Sequence, residues 1–334
     1  MTFAITGANG FLGVHIIHHL LLQGHKVVAI TRPDASLNEF ELVKAYYSLS
    51  EEKYNSLSWK RCELYDVEGL IEVIENTDYV MNLAGMISYL QRDYDRMLLV
   101  NQEFTANVVN ACLATNIKKL LYCSSIAAIT KGDEGKLISE DVEWNNEVAH
   151  SNYGYTKHLG EYEIWRGQEE GLEVVAINPG IILGYGDWTK GSNKLFGNAK
   201  NGFPFYSEGV TGWVGVKDVA RIAELLCLSD ISGERYIVVS ENKSFRAVAD
   251  LMANALNSKK PRIAVKGLLY NIIYALIAVK EFLGLGGMLS KETVRSSIAV
   301  NYFDNSKLRK ELNFKYQTIE EVVTDSTNKK SFLA

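Results

Sequence analysis

With 334 residues, 47% of them hydrophobic and 22% charged, the chain exceeds an average domain in length and has ordinary globular composition. One large α/β unit with an attached lobe can therefore bury a sizeable core. The formal net charge of −5, without a Lys/Arg stripe, argues against a nucleic-acid partner. The four cysteines (Cys62, Cys112, Cys123, Cys227) have neither metal nor redox spacing, so no metal is expected and they read as reduced thiols in a soluble, cytoplasmic protein.

Phe3–Thr6 reads as a short buried strand, leaving no room for a secretory leader. It runs into Gly7-Ala8-Asn9-Gly10-Phe11-Leu12-Gly13, then a helix over Val14–Gln23, a stop at Gly24 and a second apolar strand over Lys26–Thr31. A Gly-x-x-Gly-x-x-Gly turn in this context lets backbone approach a pyrophosphate, with the unpaired N–H groups of the helix N-terminus aimed at it. Gly7, Asn9, Gly10, Phe11, Leu12 and Gly13 are the candidate cradle. The second strand ends on Thr31 with Arg32 just past it, rather than on the acidic residue that takes ribose hydroxyls, so the expectation is NADP in preference to NAD. Asp34, following Pro33, is expected to point away.

Further strands are expected over Trp59–Leu64, Asp78–Leu83, Lys119–Ser124, Glu173–Asn178 and Arg235–Val239. Helices are expected near Leu37–Leu49, Val67–Glu75, Arg92–Thr115, Tyr153–Gln168 and Lys217–Leu228. This alternation predicts an α/β fold with a doubly wound parallel Rossmann sheet. Residues 1–187 are expected to form the dinucleotide-binding domain, with a strand and helix returning at 213–240. Residues 188–334 are expected to supply mainly a smaller, substrate-binding lobe, with helices around Phe245–Asn257, Val265–Leu283 and Ser290–Ser297. The lobe would cover the strand C-termini, where open sheets bind ligands. The apolar run Gly267–Val279 is too short to span a bilayer and reads as a core or lid helix in preference to one lying on a membrane.

Candidate chemistry falls at strand ends. Asp66, before Val67, can accept from an adenine amino group, cap the helix that follows, or do both. Asn82-Leu83-Ala84-Gly85 ends the fourth strand with small residues, as needed where backbone passes close to a ribose. Ser124-Ser125 ends the fifth, where a hydroxyl can polarise a carbonyl or cap the next turn. Tyr153 and Lys157 lie one helical turn apart and can share a pocket. A phenol titrates near 10 and is a poor acid/base at neutral pH; the ammonium is expected to bring it part of the way down and a cationic nicotinamide the rest.

In order, Thr6–Gly13, Asn82–Gly85, Cys123–Ala128 and Tyr153–Lys157 resemble the motifs of the extended short-chain dehydrogenase/reductase family, whose members include NAD-dependent epimerases and dehydratases. The resemblance is clear over about residues 1–240 and looser beyond, where Trp213–Ala220 and Asp304–Leu312 match further family stretches. Asn178-Pro-Gly-Ile-Ile-Leu-Gly184, with Arg32, resembles its dihydroflavonol reductase and cinnamoyl-CoA reductase branch. The resemblance implies Tyr153 as acid/base, Lys157 as its electrostatic partner and ribose anchor, and Ser125, directly before Ile126-Ala127-Ala128, as the carbonyl-binding hydroxyl. It adds Pro179 and Ile182 to the cofactor contacts.

Two departures stand out. Asn101 keeps only part of Asn-x-x-Gly-Thr, because Phe104 replaces the glycine, which leaves its role between proton relay and structure. Tyr185 replaces a common proline in Gly184-Tyr185-Gly186-Asp187 and is expected to reshape the wall near the nicotinamide. Phe205 and Trp213, with Phe196, Phe203 and Tyr206, suggest an apolar substrate lobe or plain core. Relatives pair through helices equivalent to 92–115 and 153–168, so a homodimer is expected. The implied activity is an NADP(H)-dependent carbonyl reductase or alcohol dehydrogenase acting on a small molecule. The alternatives are a sugar-nucleotide epimerase or dehydratase on the same fold, and a cofactor-binding regulatory protein without catalysis.

Overall fold

A computed structural model describes residues 1–130, 136–282 and 290–328. Seven strands form the central sheet: β1 (Thr2–Thr6), β2 (Lys26–Thr31), β3 (Leu57–Arg61), β4 (Tyr79–Asn82), β5 (Lys119–Cys123), β6 (Val174–Pro179) and β7 (Glu234–Val238). All pair in parallel, in the order β7-β6-β5-β4-β1-β2-β3. Each strand read from the sequence is present; the third begins and ends earlier, at Leu57 and Arg61. The chain reverses its direction of winding between β1 and β4, and the crevice beyond their C-terminal ends is where such sheets take ligands.

Side chains alternate across this sheet with period two, and each face has its own core. Phe3 and Ile5 join Leu121 and Ile177 beneath α1 (Phe11–Leu22), α2 (Asn38–Tyr47) and, later in the chain, the helix Val216–Leu228. Ala4 joins Leu120 and Tyr122 on the other face, beneath α3 (Val67–Ile74), α4 (Phe104–Leu113) and α5 (Asn152–Glu169). Because both faces are covered, β5 and β6 are buried along their whole length. The long helix expected over Arg92–Thr115 is interrupted: an α-helical turn at Tyr94–Leu98 widens into a π-helical turn at Leu99–Glu103 before α4 begins.

The smaller lobe is built on the strands Ile181–Leu183, Val210–Gly215 and Glu241–Ser244, which pair in one sheet. Helix α6 (Val216–Leu228) returns to the main sheet, and the lobe continues with α7 (Phe245–Ala255), α8 (Gly267–Phe282), α9 (Lys291–Ile298) and α10 (Ile319–Ser326). Its core gathers Leu183, Phe196, Trp213, Met252 and Ile319. Of the two roles expected for α8, core and lid, the first does not hold: Ile277 is buried, yet Leu268 is 76% and Leu276 is 65% exposed. Leu283, the last residue of the expected helix, lies outside the described residues. Among the described residues no helix is long and apolar enough to cross a membrane.

Candidate active site

The glycine turn sits at the C-terminal end of β1. Gly7 has φ +65, and a Cβ there would stand 2.8 Å from the backbone of Ala84, so both conformation and neighbour demand glycine. Gly10 starts α1 without a side-chain cap, so the first N–H groups of the helix are left for an outside acceptor, at its positive end. Gly10 is exposed, and Asn9, Phe11 and Leu12 are half-buried around it, whereas Gly13 is buried and shapes the cradle from behind. The Asn9 amide donates to the Ser36 carbonyl at 3.1 Å, tying the turn to the loop after β2.

In that loop Arg32 is exposed and its guanidinium lies 3.8 Å from the Asp34 carboxylate. Asp34 was expected to point away; the loop instead folds it back toward the arginine. Arg61, at the end of β3 and in register with Thr31, donates to the carbonyls of Arg32 at 2.9 Å and Ala35 at 2.8 Å. The sequence reading missed Arg61; a cation ending the strand beside β2 was the available signal. Asp66 caps α3, its carboxylate accepting from the Gly69 N–H at 2.8 Å, and Val67 packs against the core of that face.

The end of β4 is pinned to the cradle. Thr6 donates its hydroxyl to the Asn82 side-chain carbonyl at 2.6 Å, and the Ala84 N–H donates to the same hydroxyl at 3.3 Å. Leu83, Ala84 and Gly85 therefore run directly alongside Gly7. A Cβ on Gly85 would lie 3.4 Å from Asn101 Oδ1 and 3.5 Å from Lys157 Nζ. Asn101 is fully buried in the π-helical turn, a distortion common at functional sites. Its Oδ1 accepts from the Met86 N–H at 2.8 Å, and its Nδ2 donates to the Met86 carbonyl at 3.0 Å and the Thr156 hydroxyl at 2.9 Å. The amide is thus engaged in holding the loop after β4 against α5.

Helix α5 begins one residue before Tyr153, capped by Ser151, whose hydroxyl accepts from the Gly154 N–H at 2.8 Å. Two glycines let it press inward. A Cβ on Gly154 would come within 2.3 Å of the Ala127 carbonyl, and one on Gly160 within 2.4 Å of the Asn101 carbonyl. That approach brings Tyr153 and Lys157 to the Ser125 loop and the π-helical turn. Ser124 is buried, whereas Ser125 is half-buried and accepts from the Ala127 N–H at 3.1 Å, capping the short turn that follows.

Electrostatics in this pocket differ from the sequence expectation. Burial pushes the Tyr153 phenol above its usual range, nearby Tyr89 adds to this, and the neighbouring Ser125 hydroxyl pulls the other way. Burial also lowers Lys157 to about 8, with Cys123 and Glu161 opposing. Desolvation, not the ammonium, sets the phenol's acidity in this state, because Lys157 is turned onto the Tyr122 ring, 4.3 Å from its centroid. Among the described residues nothing accepts a hydrogen bond from Lys157 Nζ, which leaves a buried donor facing the crevice side of Gly85.

Two more residues escaped the sequence reading. Glu161, one turn beyond Lys157, is buried; it accepts from Asn178 Nδ2 at 2.6 Å and lies 3.5 Å from the Arg235 guanidinium. The i, i+4, i+8 spacing of Tyr153, Lys157 and Glu161 was the signal for it. Tyr89, on the loop after β4, packs edge-on against Tyr153 with ring centroids 6.4 Å apart.

Of the substrate-side candidates one assignment changes, that of Tyr185, while Trp213 takes the core alternative and Phe205 stays between the two. Tyr185 is buried behind α1, stacked on Tyr46 at 4.6 Å, with its carbonyl bonded to His15 Nε2 at 2.8 Å; it fills the gap between α1 and α2 and does not form a nicotinamide wall. Trp213 is fully buried in the lobe core, its indole N–H donating to the Lys243 carbonyl at 2.9 Å. Phe205 is half-buried in a two-stranded ladder with Ile263, its ring 5.5 Å from that of Phe203. Pro179 is buried as the last residue of β6, and Ile182 is half-buried beyond it. Among the described residues no group of three or more His, Cys, Asp or Glu could hold a metal.

Comparison with known proteins bears on the same region. Residues 3–238 match the profile of the NAD dependent epimerase/dehydratase family. A Synechocystis sp. protein provisionally named dihydroflavonol 4-reductase is 24% identical, over 98% of this chain and 93% of its own length. Cinnamoyl-CoA reductase 1 of Petunia hybrida is 27% identical, over 70% of this chain and 71% of its own. The solved UDP-glucuronic acid 4-epimerase of Bacillus cereus, in complex with NAD, superposes with a TM-score of 0.76 at 16% identity, covering 100% of this chain and 97% of that one, a likeness of fold alone.

Proposed function

Because the chain belongs to the NAD dependent epimerase/dehydratase family, we propose that it is an NADP(H)-dependent carbonyl reductase or alcohol dehydrogenase with Tyr153 as its acid/base. The observation that carries this reading is the Ser125 hydroxyl beside the Tyr153 phenol, with Lys157 one helical turn on and its Nζ next to Gly85 at the β1/β4 crevice. The cradle fits a dinucleotide: α1 is uncapped, Gly7 admits close approach, and Lys157 Nζ offers an unused buried donor of the kind ribose hydroxyls accept. Gly10, Phe11 and Leu12 would face the pyrophosphate, Asp66 and Val67 the adenine, Leu83, Ala84 and Gly85 a ribose, and Pro179 and Ile182 the nicotinamide end. Arg32, on a loop buttressed by Arg61, supports a 2′-phosphate and hence NADP.

A bound nicotinamide cofactor supplies or accepts the hydride. The protein's own residues handle the oxygen. Ser125 donates toward the substrate carbonyl, and Tyr153 gives that oxygen its proton as negative charge develops. A phenol held above its usual pKa keeps its proton at neutral pH, which suits reduction. The loop Met86–Leu90, with exposed Ile87 and Tyr89 beside Tyr153, offers an apolar wall and favours a reductase of apolar carbonyls over an epimerase of sugar nucleotides. A homodimer through the outer face of α5, where Tyr155 and Tyr162 are exposed, accompanies this reading.

Tyr153→Phe tests the assignment. NADPH oxidation with a panel of carbonyl compounds should fall by roughly 10²–10⁴-fold, the usual worth of general acid catalysis, while NADPH binding stays within a few-fold. Near-normal turnover in this variant would remove Tyr153 from the mechanism.

A further inference from the structure

Among the described residues, the strongly apolar helix of the lobe turns a stripe of large side chains outward. Leu268, Ile272 and Leu276 recur every four residues and form one exposed stripe along α8, while Ile277 is the side chain turned inward. Leu268 is the most exposed large apolar side chain among the described residues, at 76%. Phe203 and Ile263 extend the patch. The segment bearing Phe203 is stitched to the start of α8, because the N–H groups of Arg262 and Ile263 both reach the Pro204 carbonyl, at 2.8 and 2.9 Å.

The segment leading into α8 carries charge of one sign. Lys259, Lys260, Arg262 and Lys266 precede α8, all exposed, and from Leu251 to Lys280 the chain contains no Asp or Glu. In a protein of net charge −5, this concentration is local and runs against the whole. The positive N-terminal end of the helix adds to it.

We propose that this face of α8 lies on an anionic lipid bilayer, its axis in the membrane plane and its leucine stripe in the headgroup–acyl boundary. A helix of 16 residues is about 24 Å long, enough to lie along the surface, and no helix among the described residues is suited to spanning. A second copy is the poorer occupant. Two such patches meeting across a two-fold axis would bring like charges together, whereas phosphate headgroups attract all four cations. The lobe that carries the patch also borders the candidate site, because Glu292 on α9 acts electrostatically on Tyr89, the ring packed against Tyr153. An apolar carbonyl compound dissolved in the bilayer would then reach the crevice from the membrane side. This last step rests on the proposed reductase reading; the binding of lipid does not.

Vesicle flotation of the full chain tests the proposal. With phosphatidylcholine vesicles containing phosphatidylglycerol the protein should float, and it should stay behind with phosphatidylcholine alone or at high salt. Leu268→Ser with Leu276→Ser should lower the floating fraction at least about tenfold. Lys259→Glu with Lys260→Glu should abolish the dependence on the anionic lipid. Both pairs are exposed, so their melting curves should match the unaltered protein's. Failure of the unaltered protein to float, flotation indifferent to the leucine changes, or a dimer that falls apart when the leucines are replaced would each overturn the proposal. None of these results touches the reductase assignment, which stands or falls on Tyr153→Phe.

Discussion

Helices α5 and α8 invert the usual relation between composition and burial. Helix α5 carries Lys157, His158 and Glu161 and yet buries all three, whereas the apolar α8 leaves Leu268 and Leu276 outside. The difference lies in what each helix meets. The glycines of α5 allow contact with the Ala127 and Asn101 carbonyls, and its inward groups meet complementary surfaces: Thr156 with Asn101, Glu161 with Asn178 and Arg235, Lys157 with the Tyr122 ring. His158, whose ring nitrogens make no hydrogen bond among the described residues, stacks on Trp144. A buried charge is tolerated where such partners wait, and an apolar face stays exposed where no complementary surface exists. Burial follows the partner, not the residue type.

The contrast can be broken most severely at Gly160. Gly160→Val would drive a Cβ to within 2.4 Å of the Asn101 carbonyl and push α5 off the π-helical turn. The expected cost is about 3 kcal/mol of stability, seen as a lower Tm, with loss of activity as Tyr153 and Lys157 move away from Ser125. Retention of both would mean that close approach is not what positions the pair.

A smaller effect sharpens the same point through pH. Lys157 is held near 8, so the ammonium is complete below that value and is lost as pH rises through it. Reductase activity should therefore decline on the alkaline side of about 8. Glu161 opposes the depression, so Glu161→Gln should shift that decline to lower pH. An unchanged profile would show that Glu161 serves packing alone. The smallest effect belongs to α8: Leu268→Ser should alter stability by less than about 0.5 kcal/mol, as expected for an exposed site, and a large loss would show that the stripe is covered in solution.

The parts legible in the sequence are those with short-range cause. Strand–helix alternation predicted the sheet, and the glycine spacing before α1 predicted a turn that Gly7 does build, with φ +65. Tyr153 and Lys157 share a helix face because four residues make about one turn. What escaped depends on distant packing. Tyr185 looked like a substrate-wall residue, but the space between α1 and α2 takes its ring; for Trp213, substrate lobe and core were both open, and helices contributed by residues beyond 240 bury it in the core. The run at Gly267–Val279 lacks a polar face, so its pattern alone could not say which side stays uncovered. The weight of burial on the phenol escaped for a related reason. Spacing placed Lys157 within reach of Tyr153, but the Tyr122 ring and the depth of the pocket decide where the ammonium points and how much burial weighs.

Transfer of deuterium from NADPH labelled at the nicotinamide C4 position tests the account most directly. Incubated with an apolar carbonyl compound, the protein should yield an alcohol bearing the label at the former carbonyl carbon, one for each cofactor oxidised. Product formed without net cofactor oxidation and without label would contradict the account and place the chemistry with enzymes that return the hydride to its source.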